Sequence, residues 1–363
     1  MKRLLVLEDG TILEGQAFGS NQGNIGEVVF TTGMTGYQEV LSNPANCGLM
    51  VVMTYPVIGS YGINRDDFET IHPSIFGIIV KENNSDPSNF RSNENINSFL
   101  KANGIPGISG IDTRKLTRLL RKKGTMRGIL SPAGETDAAS LLQQLQQVDP
   151  IHHQVEMVST AKPYVVPGRG KRVVLVDFGL KHGILRELTK RSVHVTVVPY
   201  NYAAESILRL QPDGILLSNG PGDPKDVAGA VEMIQTVMKE VPIFGIGLGH
   251  QLLALAAGAD TEKLLFGHHG GNHPVYDREM NRAFITSQNH SYVVTRDSVL
   301  TTDLEVTQYS LNDKTIEGLK HQKLPAFSVQ YYPEGAPGPD ETTFLFDRFV
   351  ELMKASRRVK EEA

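Results

Sequence analysis

The sequence predicts an α/β protein in two parts. The first is a domain of mixed α and β structure, and the second is built on a doubly wound parallel sheet. Three observations predict this. At 363 residues the chain is long enough for about two domains. After Lys171 the apolar β-like runs alternate with helical stretches, the pattern of a parallel sheet covered on both faces. Within that second part, two glycine-rich turns fall at the carboxyl ends of strands, where doubly wound sheets bind their ligands.

The first domain is assigned to residues 1–150. Runs at 4–7, 28–30, 49–54 and 78–80 are short and β-like, and are bounded by glycines and polar turns. Asp112 stands where a helix N-cap belongs, and Leu116, Leu119 and Leu120 supply the apolar stripe of the helix that follows. Residues 151–171 read as a linker, punctuated by Pro150 just before it and by Pro167, Gly168 and Gly170. The second domain is assigned to 172–357. Strands are predicted at 173–177, 193–198 and 214–217, with helices at 184–191, 203–210 and 227–237 between and after them. The last third is more β-like and mixed, with a strand at 327–331 and a closing helix at 344–353.

Composition excludes several classes. Hydrophobic content of 40% and charged content of 21% are those of a globular chain with a buried core. A formal net charge of -4 and the lack of a basic run beyond residues 118–123 argue against nucleic acid. No apolar run approaches the ~20 residues of a membrane span, so no membrane association is expected. The apolar N-terminal run is too short for a signal peptide and reads as a first strand. Cys47 is the single cysteine, which rules out an internal disulfide and fits a cytoplasmic location. It lies in no nucleophile pattern and reads as structural.

The most informative stretch is Ile243-Phe244-Gly245-Ile246-Gly247-Leu248-Gly249-His250-Gln251. A short apolar run turns sharply on three glycines and enters a good helix sequence, with Gly258 where a C-cap belongs. Strand, tight turn and helix in this order make a nucleophile elbow. An elbow sets one side chain beside a helix N-terminus, where backbone N–H groups and the helix dipole stabilise a thiolate or an oxyanion. The turn at Asn219-Gly220-Pro221-Gly222 follows another strand, and its glycines allow backbone N–H groups to approach an oxyanion closely.

The elbow, reading G-I-G-L-G-H-Q, resembles that of the class I glutamine amidotransferases, G-I-C-L-G-H-Q. In the first domain G-E-V-V-F-x-T-x-M-T-G-Y-Q-E, T-Y-P-x-I-G-x-Y-G-I and G-I-D-T-R-x-L-T-R begin at Gly26, Thr54 and Gly110. Together these resemble the small subunit of carbamoyl phosphate synthetase. The resemblance spans about residues 3–355 and implies that family's N-terminal domain followed by a class I amidotransferase domain. It also implies the family's chemistry. A cysteine thiolate attacks the glutamine amide, a histidine acts as base, and a glutamate orients the histidine. Ammonia then passes to a large subunit, where ATP and Mg are expected; no cofactor or metal is expected on this chain.

Carried over residue by residue, the resemblance puts Gly220, Gly222, Leu248, Gln251, Asn289 and Tyr292 around L-glutamine, and Glu334 in the orienting role. The departures are specific. Gly247 stands at the nucleophile position and Tyr332 at the base position. Ser291 replaces a glycine of the family's S-Q-N-H-G-[FY], Ala45 replaces the serine of D-P-S-Y, and His269 the arginine of F-G-H-R-G. The histidines at 268, 269 and 273 do not repeat on a helix face and match a family loop, so they do not read as metal ligands. Tyrosine, with a pKa near 10, is a poor base at neutral pH. Two functions follow: a subunit that supplies ammonia from glutamine with impaired glutaminase, or a non-catalytic structural and regulatory subunit of an ammonia-dependent synthetase.

Overall fold

The computed structural model describes residues 1–362. They fall into two compact units. One holds Met1–His152 together with Leu264–Gly270, and the other holds His153–Lys263 and the residues from Gly271 onward.

The first unit contains β1 (Lys2–Leu7), β2 (Ile12–Gly19), β3 (Asn24–Thr31), β4 (Leu49–Met53), β5 (Val57–Ile58), β6 (Gly77–Ile79), β7 (Glu82–Asn83), β8 (Pro106–Ser109) and β9 (Met126–Leu130). All but β5 and β7 close into a barrel in the order β1-β2-β8-β6-β4-β3-β9, and β5 pairs with β7 alone. Alternate strand residues explain the closure. Leu5, Leu7, Val28, Phe30, Met50, Val52, Ile79 and Leu130 share one apolar cluster. Their neighbours Val29, Val51 and Ile78 pack in another with Leu41 and Phe99 of the covering helices. Arg3 is wholly buried, and its guanidinium donates to the carbonyls of Ser131 (2.8 Å), Gly107 (2.9 Å) and Ser20 (2.8 Å). Helix Thr113–Lys123 begins as predicted, with the Asp112 carboxylate accepting from the Lys115 N–H.

The second unit contains β10 (Tyr164–Val166), β11 (Arg172–Asp177), β12 (His194–Pro199), β13 (Gly214–Leu217), β14 (Ile243–Ile246), β15 (Thr261–Asp277), β16 (Arg282–Val294), β17 (Leu304–Ser310), β18 (Ile316–His321) and β19 (Ala326–Val329); residues 264–270 of β15 cluster with the first unit. They form one sheet ordered β10-β12-β11-β13-β14-β19-β18-β17-β15-β16. The centre, β12 to β19, is parallel, and β18, β17 and β15 continue it antiparallel. The central strands are apolar on both faces. Val174, Val176, Ile215 and Leu217 pack under helices Ala228–Val237 and Leu248–Ala256, and Val173, Leu175, Leu216 and Phe244 pack under His182–Lys190 and Phe344–Glu362.

The stretch 151–171, read from the sequence as a linker, is partly ordered. It carries a helical turn at Gln154–Val158 and the edge strand β10, which pairs antiparallel with β12. Three residues of strand between prolines and glycines are too short to announce themselves by alternation. Among the described residues, no helix is long and apolar enough to cross a membrane.

Candidate active site

Strand β14 turns into helix Leu248–Ala256 at Gly247, with φ 59° and ψ −111°, a conformation that strains any residue with a Cβ. The flanking glycines are needed for a different reason. A Cβ on Gly245 would lie 2.7 Å from the Gly249 carbonyl oxygen, and one on Gly249 would lie 2.3 Å from that of Leu217. The helix therefore presses its first turn onto the strands with no side chain between. The Gly247 N–H donates to the Val329 carbonyl (3.0 Å), and its own carbonyl accepts from His250 (3.1 Å) and Gln251 (3.3 Å). A Cβ at Gly247 itself would be in tight contact with Asn219 Cβ at 3.3 Å and in ordinary contact with Tyr332 Cε1 at 3.6 Å, a milder crowding than at its neighbours.

The ring that faces this turn is fixed on three sides. Tyr332 is 2% exposed, and its backbone N–H donates to the Ser287 carbonyl (2.9 Å). Its hydroxyl donates to the Asn289 carbonyl (3.3 Å), which ties it to β16. The Lys181 ammonium stands 4.2 Å from the ring centre. That ammonium also donates to Glu334 Oε1 (2.8 Å) and to the Gly335 carbonyl (2.8 Å). The side chains of Lys181 and Glu334 are both fully shielded from solvent. The matching glutamate is thus held by a buried cation.

The turn after β13 closes another side. A Cβ on Gly220 would lie 2.3 Å from the Phe178 carbonyl oxygen and 2.8 Å from Leu248 Cδ2, so this turn rests against the first residue of the elbow helix. Gly222 has φ 84° and faces the Gln154 carboxamide. Gln251 is 2% exposed, and its amide NH₂ donates to the Tyr292 carbonyl (2.8 Å) and to Gln330 Oε1 (3.0 Å). Asn289, Ser291 and Tyr292 are half-buried on β16. The fold therefore gathers Gly220, Gly247, Leu248, Gln251, Asn289, Tyr292, Tyr332 and Glu334 at the carboxyl end of the parallel strands. Ala45 lies in the first unit, buried in the short helix Pro44–Asn46.

Neither His250 nor Cys47 has the properties of a working base or thiolate at neutral pH. His250, one turn into the helix, is fully buried with Nδ1 2.9 Å from the Ser328 hydroxyl. Burial pushes its pKa down to about 3, so it is neutral at pH 7 and a weak base. Cys47 is buried in the first unit, and burial pushes its thiol up to about 11, which keeps it from being a thiolate at neutral pH. The elbow thus has no side chain at its turn, and the ring that faces it is a phenol.

Two residues of the site escape a reading by motif. Lys181 lies just beyond the carboxyl end of β11 in Asp177-Phe178-Gly179-Leu180-Lys181. A lysine closing an apolar segment at that end of a parallel strand is the signal that marks it. Asn219, fully buried, accepts the Lys181 N–H at Oδ1 (3.3 Å) and lies against the elbow turn. Only its place beside Gly220 hints at this.

Comparison with known proteins agrees over both units. Residues 174–352 match the family model for glutamine amidotransferase class-I, and residues 5–130 match that for the carbamoyl-phosphate synthase small chain, CPSase domain. The chain is 60% identical over 356 residues to the carbamoyl phosphate synthase small chain of Oceanobacillus iheyensis, covering 98% of this chain and 97% of that one. It is 58% identical over 357 residues to the carbamoyl phosphate synthase pyrimidine-specific small chain of Halalkalibacterium halodurans, covering 98% of each. It is 57% identical over 358 residues to the protein of that same name in Bacillus subtilis, covering 99% of this chain and 98% of the other.

Proposed function

We infer that this chain, which belongs to the carbamoyl phosphate synthase small-chain family, serves its synthase as a structural and regulatory subunit that does not hydrolyse glutamine. The observation that carries this reading is the elbow itself. Strand, turn and helix are kept, yet the turn residue is Gly247, and the ring facing it is Tyr332. The family's reaction needs a thiolate to attack the glutamine amide and an imidazole to move the proton. Neither group is at its position; His250 is too weak a base, and Cys47 too little ionised, to replace them.

The pocket around the elbow is altered in the same direction. Ser291 adds a side chain where the family's motif has glycine. On this reading, ammonia reaches the large subunit from solution and is joined there to bicarbonate at the expense of ATP. The small chain contributes the folded state and stability of the complex.

The test is a pair of assays on the purified complex. Carbamoyl phosphate formation is measured with glutamine and with ammonium as nitrogen source, and glutamate release is measured beside it. Ammonium-dependent synthesis with negligible glutamate release is expected. Glutamate release at a rate that supports synthesis, insensitive to thiol-blocking reagents, would overturn the reading.

A further inference from the structure

We propose that Phe90 is the anchor by which the first unit docks into an apolar, basic-rimmed pocket on the large subunit of the synthase. Phe90 is 95% exposed, more than any other large apolar side chain among the described residues. A ring left in water adds nothing to folding, because the stabilisation comes from apolar area removed from water. The loop that carries this ring is nevertheless tightly built.

Arg91, the next residue, pairs with Asp66 (3.2 Å) and Asp67 (3.0 Å) and reaches Asn64 Oδ1 (3.4 Å). Asn64 is 4% exposed, and the Gln38 carboxamide clasps its backbone, donating to its carbonyl (2.6 Å) and accepting from its N–H (2.9 Å). The Asn64 side chain accepts in turn from the N–H groups of Asp66 (2.9 Å) and Asp67 (3.1 Å). Phe68 of the same loop packs on Phe99, with ring centroids 5.6 Å apart. On the other side of Phe90, Asn89 Oδ1 accepts from the Arg91 N–H (2.9 Å), and the N–H groups of Ser88 and Asn93 donate to the carbonyls of Ser60 (3.2 Å) and Ile63 (2.8 Å). Residues 64–68 and 88–93 are thus joined, and Phe90 is presented on a backbone that is already ordered. A partner that buries this ring faces little further ordering entropy, which is the property of an interface hot spot.

The charge around the ring selects the partner. Over residues 64–72 and 84–94, the acids outside the core, Asp66, Asp67, Asp86 and Glu94, outnumber Arg65 and Arg91. Two copies of this chain meeting here would oppose acid to acid. A basic-rimmed pocket on a different chain is complementary. The inference rests on the small-subunit reading only in naming that chain as the large subunit.

The experiment is titration calorimetry of the full chain against the purified large subunit at low and high salt. Phe90→Ala is expected to raise Kd by about tenfold or more, as for a buried aromatic anchor, with no change in melting temperature. Asp86→Asn is expected to weaken binding more at low salt than at high salt. A Phe90→Ala chain that binds as the wild type does would overturn the inference alone. A wild-type chain that does not bind the large subunit would overturn the small-subunit reading along with it. Loss of self-association in Phe90→Ala, with large-subunit affinity unchanged, would also overturn the inference.

Discussion

The Lys181 ammonium lies 2.8 Å from Glu334 Oε1, both side chains shielded from solvent, and it also caps the Tyr332 ring at 4.2 Å. This pair changes what a restored active site would meet. An imidazole at position 332 needs a carboxylate to orient it, and the carboxylate here already has a cation bound. The aromatic ring and the buried cation are mutually favourable, so tyrosine is a settled occupant of its site.

On the proposed reading, glutaminase activity needs more than a thiol at position 247. Gly247→Cys alone is expected to stay about 10⁴–10⁶ below a working triad, because nucleophile and base act as a unit. Gly247→Cys combined with Tyr332→His should exceed the sum of the single variants. Glutamate release by the three variants in complex with the large subunit measures this. Additive effects in the double variant would contradict the coupling.

Gly247→Cys should be tolerated by packing and opposed by the backbone. A shift of Asn219 by a few tenths of an ångström is enough to relieve the 3.3 Å contact of its Cβ with the added one, Tyr332 Cε1 lies at 3.6 Å, and the φ of 59° is unfavourable for cysteine. A loss of about 1–3 kcal/mol is expected, or a fall in melting temperature of a few degrees per kcal/mol. Scanning calorimetry of the variant reads it. A rise in melting temperature would show that the turn had relaxed to another conformation.

Breaking the buried ion pair from either side should be costly. Lys181→Met or Glu334→Gln leaves one group desolvated without its partner, for an expected loss of about 3–5 kcal/mol. The double variant should lose less than the two singles together. Urea unfolding of all four proteins closes the cycle, and strict additivity would mean that the pair is not coupled.

Stability should fall in acid partly through His250. Its folded pKa is about 3, against about 6.5 in the unfolded chain. Between those values the unfolded chain binds a proton that the folded chain refuses, so lowering the pH through that window favours unfolding. The slope approaches about 1.4 kcal/mol per pH unit well below the unfolded pKa. His250→Gln should remove this contribution. Urea unfolding of both proteins across the window tests it, and an unchanged slope in the variant would assign the acid sensitivity to other groups.

The parallel core was legible because its signals are local. The strand residues 214–217 follow from their apolar run, the Thr113–Lys123 helix from Asp112 and its leucine stripe, and the elbow from three glycines at fixed spacing. Of the elements not placed from the sequence, β15 and β16 are long but lie in a stretch that read only as mixed and β-like, and others are short. Strand β10 is three residues long. Residues 264–270 follow a strand start in the second unit yet cluster with the first, and nothing in their own sequence marks that.

By itself, the sequence determined the order of the elements, the family, and the presence of glycine at position 247 and tyrosine at position 332. Each of these is a matter of which residue follows which. Only the tertiary structure decided what surrounds the residues at those positions. Lys181 and Glu334 are 153 residues apart, and Tyr332 meets Asn289 across 43. Contacts at such separations are set by how strands stack and where loops end, and the residues involved carry no local signal of their partners. The same holds for Arg3, whose carbonyl acceptors come from strand ends and loops that only barrel closure brings together.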